Sequence, residues 1–461
     1  MRTHDLIVIG AGSGNMVVDD RFADLEVAIV EERKFGGTCV NYGCIPSKIL
    51  AYTADVADTV AAADEFDLDA AFGGLRWPDL RDRVFARTDA VAEDGKAGRE
   101  DSEFITVYTG HARFIGPRRL SVSTDQGTVE IAAERIVVAA GGRPVVPGPV
   151  ADSGLPYETS DTVMRVDRAP KTLAVLGGGY IAAELAHVFA SAGSRITIVE
   201  KSDRLLGGPQ DDDIRAAYTE IARSRYDVRC GRELAEITGE PGDLVIHLND
   251  GSEVRADMLL VAAGRTPNGD HLDVHRAGID THDDGRIIAD EFCRTTADGV
   301  FALGDVSTPV PLKHVANREA EVVKHNLLHP DDLHTISHDM VPSAVFTNPQ
   351  LASVGRTEKS CRDEKLTYRV GVAEYSDVAY GWAMQDRTGL CKVLSDADGA
   401  ILGAHILGEQ AATLIQIFVV AMNFGITVGD LARRPYWIHP ALTEVVENAL
   451  LNSRWPTPCS L

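Results

Sequence analysis

Short apolar runs alternate along the chain with polar stretches that carry either glycine turns or helical spacing. The stretch Asp5–Ile9 reads as a strand and leads directly into Gly10-Ala11-Gly12-Ser13-Gly14-Asn15. A second apolar run, Val27–Val30, stops at Glu31. Strand, glycine turn, helix, strand and then an acid about twenty residues on is the order expected of a dinucleotide-binding unit. Gly10, Gly12 and Gly14 permit a tight turn with close backbone approach, and a helix N-terminus there offers free N–H groups to a pyrophosphate. Glu31 can accept hydrogen bonds from ribose hydroxyls. Asn15 replaces the third glycine of the pattern, so looser helix–strand packing or a local shift is expected.

The pattern returns about 167 residues later. Thr172–Leu176 predicts a strand, Gly177-Gly178-Gly179-Tyr180-Ile181-Ala182 the turn and helix start, and Arg195–Val199 a strand ending at Glu200. Ala182 is a permitted small residue at the third position. Two glycine turns in unrelated sheets would leave both terminal acids unexplained. Ile136–Arg143, which contains Gly141, and Leu259–Arg265, which contains Gly264, each predict a buried strand followed by a glycine turn. Gly299–Asp305 adds a strand with Gly304 and Asp305 at its exit. The chain therefore divides into a first dinucleotide unit over 1–145, a second over 146–269, the completion of the first over 270–335, and a separate mixed domain over 336–461. Strand patterns at Leu366–Val372, Gly389–Leu394 and Ile401–Ile406 and an apolar helix over Ala411–Phe424 build that last domain, with Asp331–Asp339 bridging into it.

Composition fits this picture: 461 residues, 44% hydrophobic, with 42 glycines and 20 prolines, describe an α/β protein of several domains. Runs such as Leu173–Leu176 and Phe418–Ala421 are far short of a membrane span. The start, Met1-Arg2-Thr3-His4-Asp5, leads straight into a strand and leaves no room for a signal peptide, so a cytoplasmic protein is expected. A formal charge of −24, with no basic stripe to offset it, argues against nucleic acid as a partner.

Seven cysteines are too few and too irregular for a secreted disulfide scaffold. Two of them stand apart: Cys39 and Cys44, in Gly36-Gly37-Thr38-Cys39-Val40-Asn41-Tyr42-Gly43-Cys44-Ile45-Pro46-Ser47-Lys48. A bridge closing so small a ring removes only about 2 kcal/mol of chain entropy, a weak staple for so long a chain. A strained, accessible pair is easy to reduce and serves better as a reagent. Two dinucleotides in separate units imply hydride transfer from a nicotinamide to a flavin, which can pass electrons to a disulfide. Lys48, one turn beyond Cys44, is placed to act on a thiolate or a flavin ring. Glu184 can pair with Lys48 across the junction, and Tyr180 at the mouth of the second turn can cover the flavin. Reduction of a disulfide also needs a proton for the leaving sulfur. His439 is the candidate, with Glu444 positioned to set its tautomer. Cys230, Cys293, Cys361, Cys391 and Cys459 have no partner, and no linear spacing typical of metal ligands appears.

Together, GGTCVNYGCIPSK, GGGYIAAE, ALGDV and HPALTE resemble the flavoprotein disulfide reductases that include glutathione reductase and dihydrolipoamide dehydrogenase. Within that family GSGN at Gly12–Asn15, DVAYGWAM at Asp377–Met384 and YWIHPALTEVVENALL at Tyr436–Leu451 are similar to the branch that reduces mycothione. The resemblance covers essentially the whole chain. It implies two Rossmann-like domains followed by a C-terminal α+β dimerisation domain, with FAD in the first domain, Asp305 near its ribityl and pyrophosphate portion, and NADPH or NADH in the second. It also implies that Cys44 lies beside the flavin as the charge-transfer thiolate and that Cys39 attacks the substrate disulfide. Lys48 and Glu184 would pair near the flavin, Tyr180 would gate the nicotinamide, and His439 and Glu444 would serve the active site of the partner subunit in a homodimer. Mycothione is the implied substrate, and oxidation of a dithiol by NAD, as in dihydrolipoamide dehydrogenase, is the alternative. Glu200 should repel the 2′-phosphate of NADPH by simple Coulomb reasoning, unless Lys201 and Arg204 turn inward to compensate.

Overall fold

The computed structural model describes residues 1–454, so the lone Cys459 lies outside the described residues. Three sheets organise the chain. In the first, Arg2–Ile9 is central, pairing in parallel with Val27–Glu31 on one side and Gly127–Val138 on the other. Ile105–Gly116 extends it beside Val27–Glu31, and Val300–Ala302 extends it beside Gly127–Val138. The buried runs Leu6–Ile9 and Val27–Val30 are apolar on both faces, as strands covered on both sides require.

The second sheet is wholly parallel and lies between those two contributions to the first. Its order is Asp227–Cys230, Arg195–Glu200, Thr172–Leu176, Met258–Val261, Glu158–Thr159. A short antiparallel ladder between Gly142–Pro144 and Arg265–Pro267 ties the two units where the chain passes between them. The third sheet is antiparallel, in the order Ser343–Val345, Leu351–Gly355, Ile401–Leu407, Leu390–Ser395, Arg369–Glu374. Helices Ala411–Asn423 and Thr443–Leu451 contribute Leu414, Phe418, Val445 and Ala449 to its core.

Two local expectations need correction. No α-helix follows the first glycine turn: the link to Val27 is made by 3-10 turns at Ser13–Met16 and Asp20–Phe22. Asn15 lies within the first of these turns and is held from outside. The guanidinium of Arg99, at the end of the Trp77–Glu100 helix, donates to Asn15 Oδ1 (2.8 Å), the Asn15 carbonyl (2.7 Å) and the Val18 carbonyl (2.9 Å). These contacts satisfy polar groups that a continuous helix would satisfy internally. In the third sheet, the strand expected from Leu366 begins at Arg369, because Lys365 turns with φ of +57° and the Leu366 N–H caps the preceding helix through the Cys361 carbonyl. Cys293, Cys361 and Cys391 are buried, and burial pushes their thiols up.

Candidate active site

The two glycine turns are built alike. Gly10 has φ of +99° and Gly177 +109°, conformations that L side chains rarely adopt. A Cβ on Gly10 would meet the Ala139 carbonyl at 2.3 Å, and one on Gly177 would meet the Ala262 carbonyl at 2.3 Å. The terminal acids are also used alike. Glu31 accepts from the Ala11 N–H (2.7 Å) and the Arg33 N–H (2.8 Å), and Glu200 from the Gly178 N–H (2.6 Å) and the Ser202 N–H (2.8 Å). Each carboxylate thus braces its own glycine turn from the end of the neighbouring strand.

A cavity of about 1250 Å³ runs between these units. It exceeds the roughly 300–1,000 Å³ of a single small-molecule site. Its lining includes Glu31, Gly10, Gly12 and Ser13 together with Cys39, Cys44, Lys48, Tyr180, Glu184 and Asp305. Gly141, Gly179 and Gly304 also line it, whereas Gly14 is buried against Val8 and Ala139. Gly177, Glu200, Lys201, Arg204, Gly264, His439 and Glu444 lie outside this lining.

Cys39 sits on the short helix Gly37–Asn41, and Cys44 is the first residue of the helix Cys44–Ala61. Both sulfurs are free, and the Cys39 thiol hydrogen-bonds to Cys44. That bond is the main reason the Cys44 thiol is pulled down to about 7. The Lys48 ammonium and the backbone at the helix start assist, against the opposing effect of burial. The same bond, together with burial, pushes Cys39 well up. The two shifts run in opposite directions and favour Cys44 over Cys39 as the site of negative charge.

Lys48 donates from Nζ to Glu184 Oε2 at 2.6 Å, and its ammonium lies 4.7 Å from the centre of the Phe346 ring. Glu184 is 5% exposed and also accepts from the Phe346 N–H at 3.0 Å. One carboxylate thus joins the cysteine helix, the second glycine-turn helix and the chain entering the third sheet. Farther along, the Asp55 carboxylate meets His187 Nε2 at 2.8 Å and Ser191 Oγ donates to Asp58 Oδ1 at 2.8 Å, so the same two helices are joined at three places. Tyr180 is exposed to the cavity on one side and enclosed elsewhere, and burial pushes its phenol up. Burial likewise pushes the Asp305 carboxyl up, and the Arg265 guanidinium 4.0 Å away opposes this.

Three supporting residues escaped sequence reasoning. Lys313, the first residue of the helix Lys313–Leu328, donates to Ser13 Oγ at 2.8 Å. Burial pushes its ammonium down, while Cys39, Cys44 and Asp305 pull it up. It is a second cation facing the sulfurs. Glu319, 2% exposed, accepts from the Gly304 N–H at 2.7 Å and fixes the turn that presents Asp305. Arg265, beside Asp305, completes the set. The usable signal was position: Lys313 and Glu319 occupy one helix shortly after the Gly304-Asp305 turn.

His439 is solvent-exposed, and its Nδ1 is 2.8 Å from Glu444 Oε1. The Ala441 N–H donates to the other Glu444 oxygen at 3.3 Å. The pair forms as expected, but it is absent from the cavity lining of its own chain. Tyr436 and Ile438 beside it are almost fully exposed.

A pyridine nucleotide-disulphide oxidoreductase family model matches residues 4–320, and the dimerisation-domain model of that family matches 341–450. The chain belongs to the pyridine nucleotide-disulphide oxidoreductase family. A mycothione reductase of Mycobacterium tuberculosis is 47% identical over 463 residues, covering 98% of this chain and 100% of the relative. A glutathione reductase of Burkholderia cepacia is 32% identical, covering 95% and 97%, and a dihydrolipoyl dehydrogenase of Haloferax volcanii is 32% identical, covering 97% and 96%. Among solved structures, the Cu(II) complex of the HOCl-induced flavoprotein disulfide reductase RclA from Escherichia coli superposes with a TM-score of 0.86 at 27% identity, covering 98% and 99%. This chain is a flavoprotein disulfide reductase that uses FAD and NAD(P)H. The cradle fits a dinucleotide: a Cβ on Gly37 would come within 2.8 Å of the Gly12 Cα, so glycine there lets the cysteine segment lie close against the first glycine turn.

Proposed function

We propose that this protein reduces mycothione to two molecules of mycothiol as a homodimer in the cytoplasm. The observation that carries the substrate assignment is the 47% identity to a mycothione reductase along the entire length of both chains. The cytoplasmic setting rests on the reducing chemistry, since free thiols persist where the surroundings are reducing. Among the described residues, no helix is long and apolar enough to cross a membrane.

Gly10, Gly12, Gly14, Glu31, Gly141, Gly304 and Asp305 would hold FAD. Gly177, Gly179, Glu200 and Gly264 would hold the nicotinamide dinucleotide, with Lys201 and Arg204 at its ribose end. Arg204 is turned toward the Asp212 carbonyl, at 3.4 Å, so the 2′-phosphate gains little from it in this arrangement. When bound, FAD supplies the two-electron relay between nicotinamide and thiols. Lys48, with Glu184 fixing its direction, stabilises the Cys44 thiolate. Tyr180 shields the cavity between the two dinucleotide units.

The remaining steps follow from the charge distribution of the thiol pair. Cys39 holds a proton, so His439 of the partner subunit first accepts it, oriented through Nδ1 by the partner subunit's Glu444. The Cys39 thiolate attacks mycothione, forming a mixed disulfide and expelling one mycothiol thiolate, which takes the proton from the imidazolium. The Cys44 thiolate then attacks the Cys39 sulfur, closing the Cys39–Cys44 disulfide and releasing the second mycothiol thiolate, which solvent protonates. Two electrons have passed from the thiol pair to the substrate.

The test is a substrate panel on the purified yellow protein: mycothione, glutathione disulfide and lipoamide with NADPH or NADH, and dihydrolipoamide with NAD. Mycothione should give the highest kcat/KM. Turnover of lipoamide or dihydrolipoamide with none of mycothione would replace this reading by dithiol oxidation. The same assay measures the Coulomb penalty assigned to Glu200, and a large NADPH preference would remove that argument.

A further inference from the structure

We propose that His325, Asp332 and His334 form a binding site for a divalent transition ion of the zinc type. One ligand atom from each lies within 4.8 Å of the other two. His325 is in the last turn of the Lys313–Leu328 helix, and the other two are on the segment that leaves it. Twelve residues at 1.5 Å each put this cluster on the order of 18 Å along the helix from Lys313. It is separate from the cavity, and no step above uses it.

The arrangement is more than proximity of polar side chains. The His325 and His334 rings lie face to face, with centroids 3.4 Å apart and planes 7° from parallel. In this near-parallel stack the in-plane lone pairs of the two rings run alongside each other, so one ring must tilt for both to reach a single ion. The Asp332 carboxylate adds an anionic oxygen 3.8 Å from His325 Nε2. Donors bound to zinc at about 2.0–2.2 Å stand roughly 3.3 Å from one another, so loading requires closure by up to about 1.5 Å together with that tilt. His325 Nε2 now contacts the Asp332 carbonyl at 2.7 Å. Loading exchanges that hydrogen bond for a bond from the neutral imidazole to the ion.

The supporting layer is already in place. Asn326, 3% exposed, accepts from the His334 N–H (2.7 Å) and donates to the His334 carbonyl (3.0 Å) and the Phe292 carbonyl (3.2 Å). It fixes the returning segment against the helix at the residue that must ligate, as outer-shell groups do in metal sites. Two imidazoles and one carboxylate suit zinc, nickel or copper and disfavour magnesium and calcium, which take oxygen sets. Water would supply the fourth ligand. The spacing 325, 332, 334 matches no linear metal motif, which is why the sequence suggests no metal. A bound ion would cross-link the helix end to the chain leading into the dimerisation segment, a structural role.

Zinc is the right probe because it does not itself oxidise thiols. The FAD-loaded, air-oxidised enzyme, stripped with chelator, should take up one zinc per chain in equilibrium dialysis and gain thermal stability. His325→Ala and His334→Ala should each weaken uptake at least tenfold and abolish the stability gain, with turnover unchanged. His329→Ala alters a neighbouring imidazole outside the three-ligand set, at 4.7 Å from the His325 ring, and should retain binding. No saturable uptake by the wild type, or equal uptake and stabilisation in the His325 and His334 variants, would overturn the proposal.

Discussion

At the residue scale, the chemistry depends on an asymmetry between two sulfurs with four residues between them. Cys44 begins a helix and faces Lys48, while Cys39 donates its hydrogen toward Cys44. Lowering of the Cys44 thiol to about 7 predicts that the reduced enzyme is half thiolate near neutral pH, with more thiolate above that value. Lys48→Met removes a cation that favours the charged form, so the midpoint should move to higher pH. Thiolate absorbance near 240 nm in the dithionite-reduced protein measures it. An unmoved midpoint would leave the helix start and the Cys39 hydrogen bond as the only causes. Cys39, Cys44, Lys48 and the terminal acids were legible in the sequence because each lies in a short pattern with one chemical meaning. Lys313 and Glu319 were not, because nothing local distinguishes a lysine or glutamate on a helix until the fold brings it to the Ser13 and Gly304 turns.

At the scale of elements, the first glycine turn is where local pattern and structure part. The glycine spacing predicts a helix, yet Asn15 lies in only a 3-10 turn, and the missing partners come from Arg99, 84 residues away. Such long-range satisfaction leaves no periodic trace. Arg99→Ala should strand two carbonyls and an amide oxygen, costing about 1–3 kcal/mol by the usual penalty for unsatisfied groups. It should also loosen FAD retention, measured as flavin released on gel filtration. A second tie joins the nucleotide unit to the third sheet. Lys392, 1% exposed, donates to Asp211 (2.8 Å), Asp213 (2.6 Å) and Glu358 (2.6 Å). Lys392→Met leaves the buried Asp211 carboxylate without its cation, a loss of about 3–5 kcal/mol. Thermal unfolding should show this as a Tm lowered by several degrees. A Tm within a degree of wild type would mean that the interface carries little energy.

At the scale of the molecule, the cysteine pair and the histidine–glutamate pair occupy separate places on one chain. The cavity holding Cys39 and Cys44 is lined from both dinucleotide units and by Ala412, Ile415 and Gln416 of the third domain, whereas His439 projects outward beside Tyr436 and Ile438. The HPALTE segment showed which residues belong together, and the family resemblance already implied service to a partner's site, in keeping with their absence from the cavity lining of their own chain. In the proposed mechanism a twofold partner would bring each His439 to the opposite cysteine pair. Hybrid dimers test that arrangement most directly. Cys39→Ser homodimers and His439→Gln homodimers should each be nearly inactive toward mycothione, the latter by the roughly 10²–10⁴-fold typical of a lost acid–base group. Mixed dimers with Cys39→Ser on one chain and His439→Gln on the other leave one site with both groups intact. The account predicts half the wild-type turnover per dimer, and complete inactivity of the hybrid would contradict it.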